Sequence, residues 1–350
     1  MLKRPWYYLV RAYVWLGLRF YFRKVVVKGA SNIPKSGPVI FTANHQNAFL
    51  DALILATSTW RFTHYLVRAD VFKRSCARKL LNTLNMMPIY RIRDGRSALD
   101  NNRAIFESCN KILGRGESLL IFPEGNHGQQ RRLRSLSKGF TRVVFGAMDK
   151  LSGKNIPIVP VGLNYSRHRE AGSSVSIYFG TPIDTTTFYN PAHPQRAAQM
   201  LKEEVAAQMS MLITHVPDKE NHDLIIQQLE HSNPNYLDPV AINKRIASLE
   251  KTIYDENKRV KSRPIINRFI RLGIGLNNLI PLGLWYVIKS KIKDPVFNGS
   301  IKFCVGLVFV PLGYLFQSYI FYFLGGIWVA IGYVGFCLAL LRWRSLLGHQ

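Results

Sequence analysis

Apolar positions along the chain fall into short runs separated by longer stretches of mixed polarity, an alternation that predicts strands interleaved with helices. Val25 to Lys28 and Pro38 to Ala43 read as strands and Leu50 to Ser58 as a helix; His64 to Arg68 and Met87 to Arg91 return to extended character. Ala98 to Leu113 reads as a helix, followed by a strand at Ser118 to Phe122 and a helix at Phe140 to Leu151. Two further strands are expected at Ile156 to Leu163 and Val175 to Phe179. This order predicts an α/β domain with a central, largely parallel sheet flanked by helices. Sites in such sheets are built from residues that follow the carboxyl ends of strands.

The pattern changes at both ends. Phe303 to Leu324 is an uncharged run long enough to cross a hydrocarbon core of roughly 30 Å. Gly325-Gly326 follows, then a second apolar run, Ile327 to Leu341, which stops at Arg342-Trp343-Arg344. The expectation is a C-terminal transmembrane helical hairpin, 303–324 and 327–341. Lys289, Lys291, Lys293 and Lys302 would share the cytoplasmic side with Arg342 and Arg344. The alternative is a buried helical pair, which runs of this length without charge disfavour. The segment 265–288 carries Asn267, Arg268, Arg271, Asn277, Asn278 and Pro281 and reads as re-entrant or interfacial. Residues 1–24 set Arg4, Arg11 and Arg19 near a helical period against Trp6, Tyr7, Tyr13, Trp15 and Phe20. That pattern suits an amphipathic helix in the headgroup plane, or one packed on the domain. Arg11 and Arg19 interrupt any secretory signal core. The resulting organisation is an interface helix at 1–24, the α/β domain at 25–193, a polar helical connector at 194–263 and a membrane domain at 264–350.

Composition narrows the partners. The 350 residues carry 47 Lys and Arg against 21 Asp and Glu, a formal charge of +26 that favours an anionic partner. The 47% hydrophobic fraction argues against a disordered basic tail. No nucleic-acid reader motif is present, so anionic membrane lipids are expected and nucleic acid is not. Cys76, Cys109, Cys304 and Cys337 lie far apart without a C-x-x-C spacing, which predicts a reduced compartment and no zinc site.

Candidate chemistry lies just after two of the expected strands. Asn44-His45-Gln46-Asn47-Ala48-Phe49-Leu50-Asp51 follows the first, and Phe122-Pro123-Glu124-Gly125 follows a later one. An alcohol is a poor nucleophile at neutral pH and needs a base within hydrogen-bond reach, a task suited to histidine. A carboxylate partner holds the imidazole in the required tautomer. No nucleophile elbow accompanies the pair, so the substrate hydroxyl would attack directly, without an acyl-enzyme.

These residues resemble the glycerolipid acyltransferases, membrane-associated enzymes that acylate glycerol-3-phosphate, lysophosphatidate and related acceptors. Asn44-His45 with Asp51 resembles the first family block and Pro88-Ile89-Tyr90-Arg91 the second. Phe122-Pro123-Glu124-Gly125, with Leu133, Lys138 and Gly139 downstream, resembles the third, and Ile156-Pro157-Ile158-Val159-Pro160-Val161 the fourth. The blocks occur in order over residues 25–185.

The resemblance implies that His45 is the general base and Asp51 its orienting partner. It places Asn44, Arg91, Glu124, Gly125 and Lys138 on the acceptor side and Pro160 on the acyl-chain side. The co-substrate is acyl-CoA or acyl-carrier protein, with no metal or redox cofactor. Two departures bear on the acceptor. Five residues separate His45 from Asp51, where four are commoner, a spacing similar to that of glycerol-3-phosphate or dihydroxyacetone-phosphate acyltransferases. The usual Thr-Arg after the Glu-Gly turn is Asn126-His127, so a phosphate contact would come from Arg131, Arg132, Arg134 or Lys138. That difference also leaves room for another lysolipid or an aminolipid acceptor, and a non-catalytic lipid-binding protein is the alternative of another class. The cluster Arg131 to Arg134 reads as a lipid-facing or solvent patch.

Overall fold

The computed structural model describes residues 3–73, 75–90, 96–168, 170–249, 266–292 and 294–347. Its core is a seven-stranded sheet of β1 (Lys24–Lys28), β2 (Val39–Ala43), β3 (Thr63–Arg68), β4 (Met86–Ile89), β5 (Ser118–Ile121), β6 (Ile158–Tyr165) and β7 (Ser174–Phe179). The spatial order is β1-β7-β6-β2-β5-β3-β4. The five strands from β6 to β4 run parallel, and β7 and β1 run against them.

Every residue of β2, β5 and β6 is buried, which is why these strands read as continuous apolar runs. Alternate side chains serve opposite faces, as the period of two requires. Phe41, Leu120, Val159 and Val161 join one cluster with Tyr7, Val14 and Leu18 of α1 (Lys3–Tyr21) and Leu50 and Ile54 of α2 (Phe49–Ser58). Ile40, Leu119 and Ile158 join the other, with Ile112 of α4 (Arg96–Gly114), Val144 and Met148 of α5 (Gly139–Lys150) and Leu201 and Val205 of α6 (Pro194–Leu212). α3 (Ser75–Thr83) lies beside β4.

Two expectations are corrected here. The connector expected to begin at 194 does not stand apart, because α6 buries Leu201, Val205 and Met209 in the core of the sheet. Only α7 (His222–His231) and α8 (Pro239–Leu249) form a separate small cluster, around Val216, Ile225 and Ile242. Secondly, α1 is packed on the domain through Tyr7, Val14 and Leu18, the reading held open beside the free interfacial helix. Its other faces still expose Trp6, Leu9, Tyr13, Trp15 and Leu16.

Beyond the domain come α9 (Ile266–Asn277), α10 (Leu279–Lys289) and the long apolar α11 (Asn298–Leu347). α9 and α10 break at Asn278, and each is shorter than the ~20 residues a crossing requires. α11 is interrupted at Gly325 and Gly326, where Gly326 takes a φ of 75° that a side chain would resist. The chain reverses there. The Tyr333 hydroxyl donates to Gln317 Oε1 at 2.7 Å, and its ring stacks on Phe321 at 4.1 Å. Residues so far apart in sequence would lie about 24 Å apart in an unbroken helix. Among the described residues, Pro295–Trp343 is the one segment long and apolar enough to cross a membrane, and it is mostly exposed.

Candidate active site

Three neighbouring parallel strands, β6, β2 and β5, contribute to one site: β2 and β5 end within a residue of each other, and β6 runs four residues further, to Tyr165. His45 follows β2 by one residue. Its Nδ1 lies 2.8 Å from Asp51 Oδ2, in the first turn of α2. A carboxylate accepts only, so Nδ1 carries the proton and Nε2 keeps its lone pair. Asp51 is fully buried. Its Oδ2 also accepts from the backbone N–H groups of Gln46 (2.9 Å) and Asn47 (2.8 Å), and its Oδ1 from the hydroxyl of Tyr165 at the end of β6. These donors and the α2 N-terminus offset the cost of burying a carboxylate. The loop turns at Ala48, whose φ of 47° and ψ of −131° are costly for a residue with a Cβ.

β5 supplies the opposite wall. Phe122 stacks on the His45 ring with centroids 4.0 Å apart, and the His127 ring meets it edge-on at 4.1 Å. The Gly128 N–H donates to His45 O at 2.9 Å. Gly125 closes the turn at φ 73°, the left-handed region glycine occupies without steric cost. Burial pushes His127 down to about 3, with the neighbouring His45 adding to the shift, so its ring is neutral at physiological pH.

The expected site residues separate into distinct groups. His45 and Asp51 meet directly. The Asn44 side chain, 1% exposed, faces β6: its amide donates to Leu163 O at 3.0 Å and accepts from Leu163 N at 2.7 Å, which fixes the loop to that strand. Glu124 is likewise turned inward. Its carboxyl is only 3% exposed, lies 2.7 Å from Arg134 and accepts from the His45 backbone N–H, so it braces the motif loop. Burial raises it to about 7 despite Arg134, which acts to lower it. Gly125 and Lys138 are exposed, Lys138 just before α5. Pro160 is buried inside β6, level with Thr42 of β2. Arg91 lies outside the described residues.

The Arg131 to Arg134 patch is overturned. Arg131 is buried, donates to Tyr165 O at 2.9 Å and Ser166 O at 3.2 Å, and lies 3.3 Å above the Tyr236 ring, with burial pushing it down to about 10. Arg134 is committed to Glu124 and Asn126. Neither side chain is placed as a solvent charge.

An imidazole oriented by a buried carboxylate at a convergence of strand ends is equipped to take a proton from an incoming hydroxyl. Residues 24–164, which contain the whole His45–Asp51 and Glu124 constellation, match the family described as Acyltransferase. This region is therefore similar to the acyltransferases.

Three relatives show how far the likeness extends. It is 26% identical over 163 residues to the chloroplastic 1-acyl-sn-glycerol-3-phosphate acyltransferase LPAT1 of Arabidopsis thaliana, covering 46% of this chain and 42% of that one. It is 27% identical over 121 residues to glycerol-3-phosphate O-acyltransferase 1 of Saccharomyces cerevisiae, covering 33% of this chain and 16% of that one. It is 25% identical over 202 residues to a probable 1-acyl-sn-glycerol-3-phosphate acyltransferase of Mycoplasma pneumoniae, covering 52% and 70%. The chain thus spans less than half the length of the plant relative.

Four residues of the candidate site were not legible as such. Tyr165 lies far from the motif in sequence, and only the parallel pairing of β6 with β2 brings it to Asp51. Arg134, one of four candidates for a phosphate contact, is the partner of Glu124. Arg68, at the carboxyl end of β3, is close enough to depress His127; its position as the last residue of an expected strand is a signal that could have found it. Ser300 of α11 bonds the motif loop at Asn47 O and Leu50 N, and nothing in its local sequence announces this.

Proposed function

We propose that the protein is a membrane-bound O-acyltransferase that moves a fatty acyl group from acyl-CoA or acyl-carrier protein to a glycerolipid precursor. Candidate acceptors are glycerol-3-phosphate, lysophosphatidate and related molecules. The observation that carries this reading is the 2.8 Å bond between His45 Nδ1 and Asp51, itself held by two backbone amides and Tyr165.

With Nδ1 committed, Nε2 takes the proton of the acceptor hydroxyl as its oxygen attacks the thioester carbonyl. The imidazolium that forms is stabilised by Asp51. Collapse of the tetrahedral intermediate breaks the C–S bond, and the proton on Nε2 passes to the departing thiolate. Ester and free thiol result, with no acyl-enzyme. His127, depressed to about 3, is too weak a base to replace His45 at neutral pH.

An acceptor phosphate would meet Arg68 at the carboxyl end of β3, since a guanidinium suits a phosphate. The relatives' names, which specify glycerol-3-phosphate and its 1-acyl derivative, support this acceptor class. A second reading, another lysolipid or an aminolipid acceptor, is favoured by one observation: the neutral His127 stands where a cation was expected. The apolar Pro295–Trp343 segment supports anchoring in the bilayer. Anionic lipids suit the net charge of +26, and Lys302 and Arg342 belong to the end of the hairpin that would face the cytoplasm. An acceptor panel assayed with His45→Ala as control tests the proposal.

A further inference from the structure

A cavity of about 460 Å³ lies between α1, α10 and both limbs of α11, beyond the 24–164 region that matches the family apart from its α1 wall, which precedes it. Its walls are almost wholly apolar and include Phe20 of α1, Leu282 of α10, Leu307 and Val310 of the first limb and Leu338 of the second. The volume is within the range of small-molecule sites. The first limb lines it from Lys302 to Leu315, about 20 Å of helix at 1.5 Å per residue, so the cavity is a slot. That length exceeds the roughly 15 Å that one lipid chain spans in half a hydrocarbon core.

The two ends of the slot differ. At one end the ammonium of Lys302 lies 5.7 Å above the Trp285 ring, and the Tyr21 hydroxyl donates to Gly299 O at 3.2 Å. Ser300, in the same turn as Lys302, is bonded to the Asn47 and Leu50 backbone inside the His45 motif. At the other end Asn278, 5% exposed, donates to Tyr314 at 3.1 Å, and its Oδ1 has no hydrogen-bond partner. A methylene chain passing this pair would bury it further without bonding it, so the pair marks the floor.

We propose that this slot holds the acyl chain of a lysolipid acceptor, tail toward Asn278 and anionic headgroup toward Lys302. The inference rests on the acyltransferase reading. The outer face of the same limb exposes Leu312, Phe316, Tyr319 and Phe323, so the occupant reaches the slot from hydrocarbon. An acceptor that already carries a chain resides there, whereas the polar carrier of a thioester donor arrives from water. The charge of Lys302 complements a phosphate headgroup.

The test uses full-length protein in phosphatidylcholine nanodiscs and a palmitoyl lysophosphatidate with a photoactivatable diazirine near its tail. Adducts mapped to the segments 278–285 and 302–315, displaced by unlabelled lysophosphatidate, support the slot. Adducts confined to the exposed outer face or to the α/β domain overturn it. A second variant reads function. Gly306 lines the slot, and a Cβ added there meets nothing within 4 Å, so Gly306→Trp fills the space without a backbone clash. Transfer to palmitoyl lysophosphatidate should fall about tenfold or more, with transfer to chainless glycerol-3-phosphate unchanged. Equal rates with both acceptors in wild type and variant contradict the proposal. If wild type acylates neither acceptor, the catalytic reading fails and the photolabelling alone decides the slot.

Discussion

Ser300 and Asn47 are joined by a 2.8 Å hydrogen bond from the serine hydroxyl to the asparagine carbonyl, and the same hydroxyl accepts from the Leu50 N–H at 3.0 Å. One side chain of the C-terminal apolar helix thus caps the backbone between His45 and Asp51. The long helix is part of how the motif loop is held, beyond any role as an anchor.

Ser300→Ala removes both bonds of the hydroxyl and leaves the Leu50 N–H with Asn47 O alone at 3.1 Å, a loss of about 0.5–1.5 kcal/mol in loop stability. Acyl transfer should fall about tenfold in kcat with KM for the thioester donor little changed, and Ser300→Thr, which keeps the hydroxyl, should recover most of it. A Ser300→Ala enzyme with wild-type kcat would separate the helix from catalysis.

Asp51→Asn should be far more damaging. The carboxylate accepts from His45, two backbone amides and Tyr165, and an amide would set its NH2 against one of these donors. With the imidazole tautomer no longer fixed, kcat should drop by about 10³–10⁴-fold. Tyr165→Phe removes a single donor and should cost about 10–100-fold, the worth of one bond to a charged group. Steady-state rates on the two variants check the order.

The pH behaviour of Glu124 has a definite sign. Its folded value of about 7 lies above the ordinary 4.5, so the native state holds its proton more tightly than the unfolded chain does. Its contribution to stability therefore falls as pH rises from 4.5 to about 7 and is flat above that. His127 acts oppositely: held at about 3, it costs the fold stability as pH falls below 6.5. Comparing Tm against pH for wild type and Glu124→Gln isolates the carboxyl, and the variant should lose less stability between pH 4.5 and 7. Arg134→Gln removes the group that lowers Glu124, so the pH range over which stability falls should extend to higher pH.

His127→Ala should retain at least about a tenth of wild-type kcat. A ring held near 3 is not the base at neutral pH, and its loss removes packing against His45 and Phe297. A collapse of activity comparable with that of His45→Ala would assign His127 a direct role in proton transfer.

Much of this was legible along the chain because its cues are local. The strands leading to His45 and Glu124 announce themselves as apolar runs, and a short loop with a helix-start carboxylate reports the His45–Asp51 pair. What escaped reading depends on tertiary placement. Asn44 and Glu124 look like ligands by type, yet burial turns both inward, toward Leu163 and toward Arg134. Arg131 sits in a basic run and is buried because Tyr236, Tyr165 and Ser166 converge on it from other elements. α6 looked like a connector because its exposed faces are polar, while its buried stripe of Leu201, Val205 and Met209 is sparse.

The most direct measurement of the central claim is acyl transfer by purified full-length protein. Labelled acyl-CoA and acyl-carrier protein would be offered with glycerol-3-phosphate, dihydroxyacetone phosphate, lysophosphatidate and other lysolipids, for wild type and His45→Ala. The account predicts ester formation on at least one acceptor, lost by about 10³-fold or more in the variant and unaccompanied by a covalent acyl-enzyme. Transfer to none of these acceptors, or undiminished transfer by His45→Ala, would contradict it.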